Sequence, residues 1–178
     1  MDIEITEHQE SEVFDGHQIA PQFAIALKDF IYKNISLSAS INGRSSAASG
    51  QSVNDVTDTK INIDTVTVTA VGITFDSTNK RFTALAAGNY IVSGVVIYQT
   101  TTDVKLYQAV LFKGLSGGSS SAYSKSSLIS GGGTYSLSIV ISDIVTLAVG
   151  DYIELYTFHN SGLAESTLAG SWLAIGKI

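Results

Sequence analysis

The sequence predicts an all-β protein, a sandwich or jelly roll of about ten antiparallel strands in two sheets, with an extended arm and one short helix ahead of it. Three observations carry this prediction. From residue 35 onward the apolar residues recur with a period of two, the repeat of a half-buried strand. The segments are short and parted by turns built from Gly, Asn, Asp and Ser, with 16 glycines against one proline in 178 residues. No fixed repeat length runs through the chain, which argues against a solenoid or a propeller.

The N-terminal stretch stands apart from this pattern. Asp2, Glu4, Glu7, Glu10, Glu12 and Asp15 meet no Lys or Arg before residue 16, so the whole net charge of −6 sits there. The other ten acids are matched by all ten basic residues. Ile3 and Ile5 alternate with acids as a short added strand would. Residues 21–34 carry the one helical pattern. Pro21 suits a helix start, and Phe23, Leu27, Phe30 and Ile31 recur at i, i+4, i+7 and i+8. Residues 1–34 are therefore expected to form an arm and amphipathic helix, with Ile3, Ile5, Phe23, Leu27 and Phe30 as its anchor residues. Residues 35–178 are expected to form the β domain.

Within that domain Ile35, Leu37, Ala39 and Ile41 alternate with Ser and Asn, which predicts a strand. Residues 43–54 read as a Ser/Gly/Ala loop. Strand signals follow at Ile61/Ile63, Val66/Val68 and Ile73/Phe75, then a turn at 76–80 and Phe82. Further strands are expected at 89–99, 104–113, 134–142, 144–147, 151–158 and 167–175. Gly/Ser segments fill 114–121, and a glycine run lies at 131–133. The segments 43–54, 114–127 and 159–167 are expected as loops gathered at one outward end.

Hydrophobic residues make up 44% of the chain and charged ones 15%, a charge-poor balance that implies cover by a partner subunit. Three strands lack clean alternation: Tyr90–Ile97, Ser138–Ile141 and Trp172–Ile175. In an antiparallel sandwich one face of a strand normally meets water. Loss of alternation implies that the second face is buried too, hence an oligomer. With no basic stripe, nucleic-acid binding is not expected. No run approaches the ~18 apolar residues of a membrane span. There is no cysteine, so no disulfide is formed and no thiol does chemistry. The start Met1-Asp2-Ile3-Glu4 has neither the basic region nor the apolar run of a secretory signal.

Four pieces of the sequence, in order, resemble one known family. Phe82-Thr83-Ala84-Leu85-Ala86-Ala87-Gly88-Asn89-Tyr90 is similar to the F-T-A-P-x-A-G-x-Y lead into a central strand in the globular head of complement component one-q, one of the tumour-necrosis-factor-like jelly rolls. Leu111-Phe112-Lys113-Gly114 resembles a strand ending in lysine and a turn. Leu147–Leu155 is similar to the family's L-x-x-G-D-x-V-x-L hairpin, and Leu168–Leu173 to its closing F-x-G-x-L-L strand. Leu85 stands where the family has proline, and Leu168 where it has phenylalanine. The resemblance spans about residues 35–178. It implies a ten-stranded jelly roll that assembles as a homotrimer, with the first, third and last strands nearest the threefold axis. On that basis Ile35, Leu37, Tyr90, Val92, Val96, Trp172 and Ala174 are the trimer-interface candidates.

Catalytic chemistry is not expected. Gly114-Leu115-Ser116-Gly117-Gly118 matches the G-x-S-x-G elbow, but that elbow needs a strand-to-helix turn and a histidine partner. His8, His17 and His159 have no metal-ligand spacing. Asp55, Asp58 and Asp64 lack the glycine and bidentate glutamate of a calcium loop and read as turn caps. Asp151 reads as turn chemistry, and no cofactor or metal is implied. Asn34-Ile35-Ser36 matches a glycosylation acceptor, which carries little weight without an export signal. A fold that works outside cells, read without an export signal, points to virion assembly. The expected function is a non-enzymatic trimeric structural protein of a bacteriophage, a short head or tail fibre or a capsid decoration protein. Its arm would bind capsid or tail proteins, and its outer loops a host glycan or surface protein. The alternative is a bacterial or spore-surface adhesion protein with the same trimer.

Overall fold

The computed structural model describes residues 42–102, 104–131 and 135–178. The expected arm, the helix at 21–34 and the strand at 35–41 lie outside these residues, as do His8, His17, Ile35, Leu37 and the anchor residues. Thirteen strands are formed among the described residues: β1 (Asn42–Ser46), β2 (Ser52–Val53), β3 (Thr59–Lys60), β4 (Thr65–Val71), β5 (Ile73–Asp76), β6 (Arg81–Ala84), β7 (Gly88–Tyr98), β8 (Leu106–Gly114), β9 (Ser120–Ile129), β10 (Leu137–Leu147), β11 (Tyr152–His159), β12 (Glu165–Ser166) and β13 (Trp172–Lys177). Every pairing between them is antiparallel.

Two sheets make the sandwich. One has the order β10-β7-β13-β1-β4. The other has six strands, β5-β6-β11-β8-β9, with β3 also paired to β11. A two-stranded ribbon of β2 and β12 closes one end. Tyr90, Val92, Val96, Ile139, Ile141, Leu173 and Ile175 from the first sheet meet Phe82, Leu111, Ile153 and Leu155 from the second in one buried core. Alternation along each strand puts these residues on the inner faces, as sheet-on-sheet packing requires.

Two predicted loops contain strands. β1 occupies part of the expected loop 43–54. Its inward residues are Gly43 and Ser45, because the space there is already taken. A Cβ on Gly43 would sit 3.0 Å from both Ile73 Cδ1 and Phe82 Cε1. Ser45 is fully buried and donates its hydroxyl proton to Thr65 O at 3.0 Å. β9 takes up much of the expected loop 114–127. It is an edge strand exposed on both faces, so it needs no apolar residue on either side and its Ser-rich sequence carries no period. The two strands expected at 134–142 and 144–147 are replaced by a single one, β10 (Leu137–Leu147), whose register with β7 runs unbroken from Leu137↔Tyr98 to Leu147↔Gly88. The final strand begins at Trp172. Before it, Ser171 Oγ accepts the Ile97 N–H at 3.0 Å and turns the chain into register.

The turn at 148–151 follows its sequence reading. Gly150 takes a φ of +87°, open to glycine and disfavoured for other residues. Asp151 accepts the Ala148 N–H at 3.0 Å and the Ser116 N–H at 3.3 Å, tying two turns together.

Candidate functional site

The three strands that lack alternation, β10, β7 and β13, lie side by side in the five-stranded sheet. Register then fixes which residues share its outer face. Val140 pairs with Val95 and Ile144 with Ile91; Val95 pairs with Trp172 and Ser93 with Ala174. Farther along, Ala174 pairs with Arg44 and Arg44 with Val68. The outer face therefore carries apolar residues on β10, β7, β13 and β4, interspersed with Asn89, Ser93, Ser142, Thr146 and Arg44. Val140 is 61% exposed, Ile144 55%, Val68 46% and Ile91 44%. Ser93 and Ser142 occupy its middle and hydrogen-bond to each other at 2.8 Å. Each half-exposed aliphatic side chain would contribute on the order of 1 kcal/mol if covered, and a contiguous apolar patch of this kind marks an interaction surface.

The outer face of the six-stranded sheet is finished by contrast. Arg81 lies over the Tyr152 ring at 4.2 Å, and Lys60 over the Tyr156 ring at 5.5 Å. Phe112 stacks on Tyr156 with ring centroids 4.0 Å apart. Glu154 is buried beneath them, paired with Lys60 at 2.5 Å and accepting the Ser120 hydroxyl proton at 2.7 Å. Burial works against the Lys60 charge, but the hydrogen bond and attraction of Glu154 outweigh it and hold the ammonium above the usual lysine range. The rings of Tyr152 and Tyr156 each carry a cation of their own on this face, and its exposed apolar residues, Ile129 among them, are on the edge strand β9.

The interface candidates divide by parity. Trp172 and Ala174 are on the open outer face, half-buried. Tyr90, Val92 and Val96 are fully buried in the core. A side chain enclosed by its own sheets presents no surface, so on β7 the outward set is Ile91, Ser93, Val95 and Ile97 instead. The signal for that choice was present: Tyr90 and Leu173 start runs whose alternate members are the bulkier ones, and Ser93 marks the wetter face.

The other singled-out residues have structural partners. Ser116 lies in the turn between β8 and β9, and Ser116 N–H donates to Asp151. The described histidine, His159, is at the opposite end of β11 from that turn. It is fully buried, and Nε2 donates to Val53 O at 3.1 Å. Nδ1 lies 3.1 Å from the Ser161 hydroxyl, which donates its proton to Leu163 O at 2.8 Å, and accepts the Ser161 N–H at 3.4 Å. Tyr98 and Tyr107 pack against its ring. Burial holds the Tyr98 hydroxyl well above the usual tyrosine range, and it is hydrogen-bonded to Thr157 at 2.7 Å. Asp55 accepts the Gly162 N–H at 3.0 Å and Asp64 the Ala48 N–H at 2.9 Å, both as caps. Among the described residues no three His, Asp or Glu side chains converge as metal ligands.

The loops expected together do not all gather. Residues 47–58 and 160–167 meet through the β2–β12 ribbon and the Asp55–Gly162 bond. The turn 115–119 is at the other end, beside residues 148–151. β1 runs antiparallel to β13 with Ser46 opposite Trp172, so residue 42 lies at the end that holds 115–119. The ribbon end is the far one.

Comparison with known proteins follows the sheet order. No family model matches the chain, and no curated protein matches it. Among solved structures, Eiger TNF from S. frugiperda superposes with a TM-score of 0.61 at 13% identity, covering 78% of this chain and 92% of that one. Murine APRIL superposes with a TM-score of 0.55 at 15% identity, covering 77% and 99%. The fold is a tumour-necrosis-factor-like jelly roll. At such low identity the likeness is one of fold, and the resemblance in the motifs around Phe82, Gly150 and Trp172 agrees with it.

Proposed function

We propose that this jelly roll works as a non-enzymatic homotrimer that buries the outer face of its five-stranded sheet, and that it serves as a virion structural protein of a bacteriophage. The observation that carries the trimer is the contrast between the two outer faces: one is capped by its own cations, the other leaves aliphatic residues open. A heterologous contact closing into a ring covers such a face without leaving a copy of it wet. The far end, built from residues 47–58 and 160–167, is then free to meet a host glycan or surface protein. The virion role is supported by the separation of charge in the sequence, an acidic segment before residue 16 joined to a remainder, 16–178, in which acids and bases balance. That segment would bind capsid or tail proteins.

Light scattering coupled to size exclusion at micromolar concentration tests the trimer. Three chain masses are expected for the natural sequence, and one for the double variant Val140→Asp/Ile144→Asp with its far-UV spectrum unchanged. A monomeric natural chain would refute the reading. For the virion role, deleting residues 1–20 should leave a trimer that no longer joins the particle. Unaltered incorporation, measured by mass spectrometry of purified particles, would count against the segment as anchor.

A further inference from the structure

The open face contains a cation among its apolar residues. Arg44, from β1 beside the edge strand β4, lies between Ala174 and Val68, with its guanidinium 4.6 Å above the Trp172 ring. Its Nε is shielded from solvent and has no hydrogen-bond acceptor. No carboxylate among the described residues lies within ion-pair distance of it. Beside it the face sinks into a depression of 420 Å³ lined by Asn42, Arg44, Val68, Ile91, Ser93 and Lys177 among others. Of the charged residues in that lining, Arg44 is on the open face, whereas Lys177 pairs with buried Tyr90 and turns its side chain to the inner face beside Gly88; neither is acidic, in a chain whose net charge is −6.

We infer that this depression binds a small oxyanion of carboxylate or phosphate chemistry, held by Arg44. A guanidinium offers parallel N–H donors that match two oxygens of one anion. Stacking on Trp172 fixes the plane of that fork before the ligand arrives, so little side-chain freedom is lost on binding. Ser93, hydrogen-bonded to Ser142, adds a neutral polar group at the rim, and Val68 and Ile91 supply its apolar sides. The inference deepens the proposed self-association: covering this face with a second copy would strand an unpaired charge, which is costly, and a bound oxyanion neutralises it.

The test uses the full chain in a zwitterionic buffer containing chloride. Equilibrium dialysis with radiolabelled inorganic phosphate should show saturable binding of no more than one phosphate per chain. Unlabelled acetate should compete. Phosphate should also raise the melting midpoint above that in sodium chloride of equal ionic strength. Arg44→Met, which keeps a long side chain over Trp172, should weaken binding at least tenfold and abolish the shift; Lys177→Met, on the other face of the sheet, should leave binding within about twofold. Arg44→Lys, which keeps the charge without the fork, should bind several times more weakly than the natural chain and serves if the methionine variant does not fold. Non-saturable uptake, or undiminished binding by the Arg44 variants, would overturn the inference. Light scattering on the same samples separates the two ideas. A monomer that binds phosphate sinks the trimer alone, and a trimer that binds none sinks the anion site alone.

Discussion

Gly50 and Asp76 show how single residues hold corners that the sequence presents as ordinary loop. A Cβ on Gly50 would sit 2.1 Å from the Thr167 carbonyl oxygen, where the chain before β2 crosses the chain after β12. Backbone cannot swing aside as a side-chain tip can. Gly50→Ala is expected to cost about 2–3 kcal/mol, read as a lower urea midpoint with an unchanged slope. An unaltered midpoint would mean that this crossing yields easily. Asp76 opens the turn between β5 and β6, accepting from the Asn79 side chain at 2.7 Å, the Asn79 N–H at 2.9 Å and the Thr78 N–H at 3.0 Å. These bonds, the Asn79 side chain foremost, hold its carboxyl below the usual aspartate range. A depressed carboxylate stabilises the fold fully above its unfolded value of about 3.9, and that contribution is lost as pH falls through the lower folded value. Asp76→Ala should therefore cost about 1 kcal/mol at neutral pH. The difference from the natural chain should narrow below about pH 4; a gap that widened in acid would contradict this account.

At the scale of elements, legibility followed burial. β7, β10 and β11 were readable because long apolar runs have to go somewhere, and their order along the chain matched the family resemblance. β9 was not readable, since an edge strand wet on both faces can be written in serine. β1 was hidden for the opposite reason: its inward positions are so crowded that only Gly43 and Ser45 fit. Such a strand looks like a loop. The tie between β3, β11 and β9 was also out of reach, because Lys60, Glu154 and Ser120 are far apart in sequence. Glu154 is 3% exposed and Lys60 31%, so removing the lysine leaves a buried carboxylate with only Ser120 to accept from. Lys60→Met should cost about 2 kcal/mol, less than a fully buried pair because Lys60 is partly solvated. Double mutation to Lys60→Met/Glu154→Gln should recover most of that loss in thermal melts. No recovery would show that Lys60 acts through its packing on Tyr156 instead.

The whole molecule turns on a difference between its two outer faces. Self-capped aromatic rings on one sheet and bare aliphatic residues on the other give the domain a direction, and the direction is what makes an assembly proposal specific. The chain's own residues were enough to determine the all-β class, the antiparallel sandwich, the acidic segment and the surplus of apolar strand surface. These follow from local rules, because period and turn chemistry act over a few residues. Which of two alternating sets faces outward, which loops share an end and where Arg44 lies were decided only by tertiary structure. Each depends on register between strands far apart in sequence, and a shift of one residue there exchanges every inward side chain for an outward one.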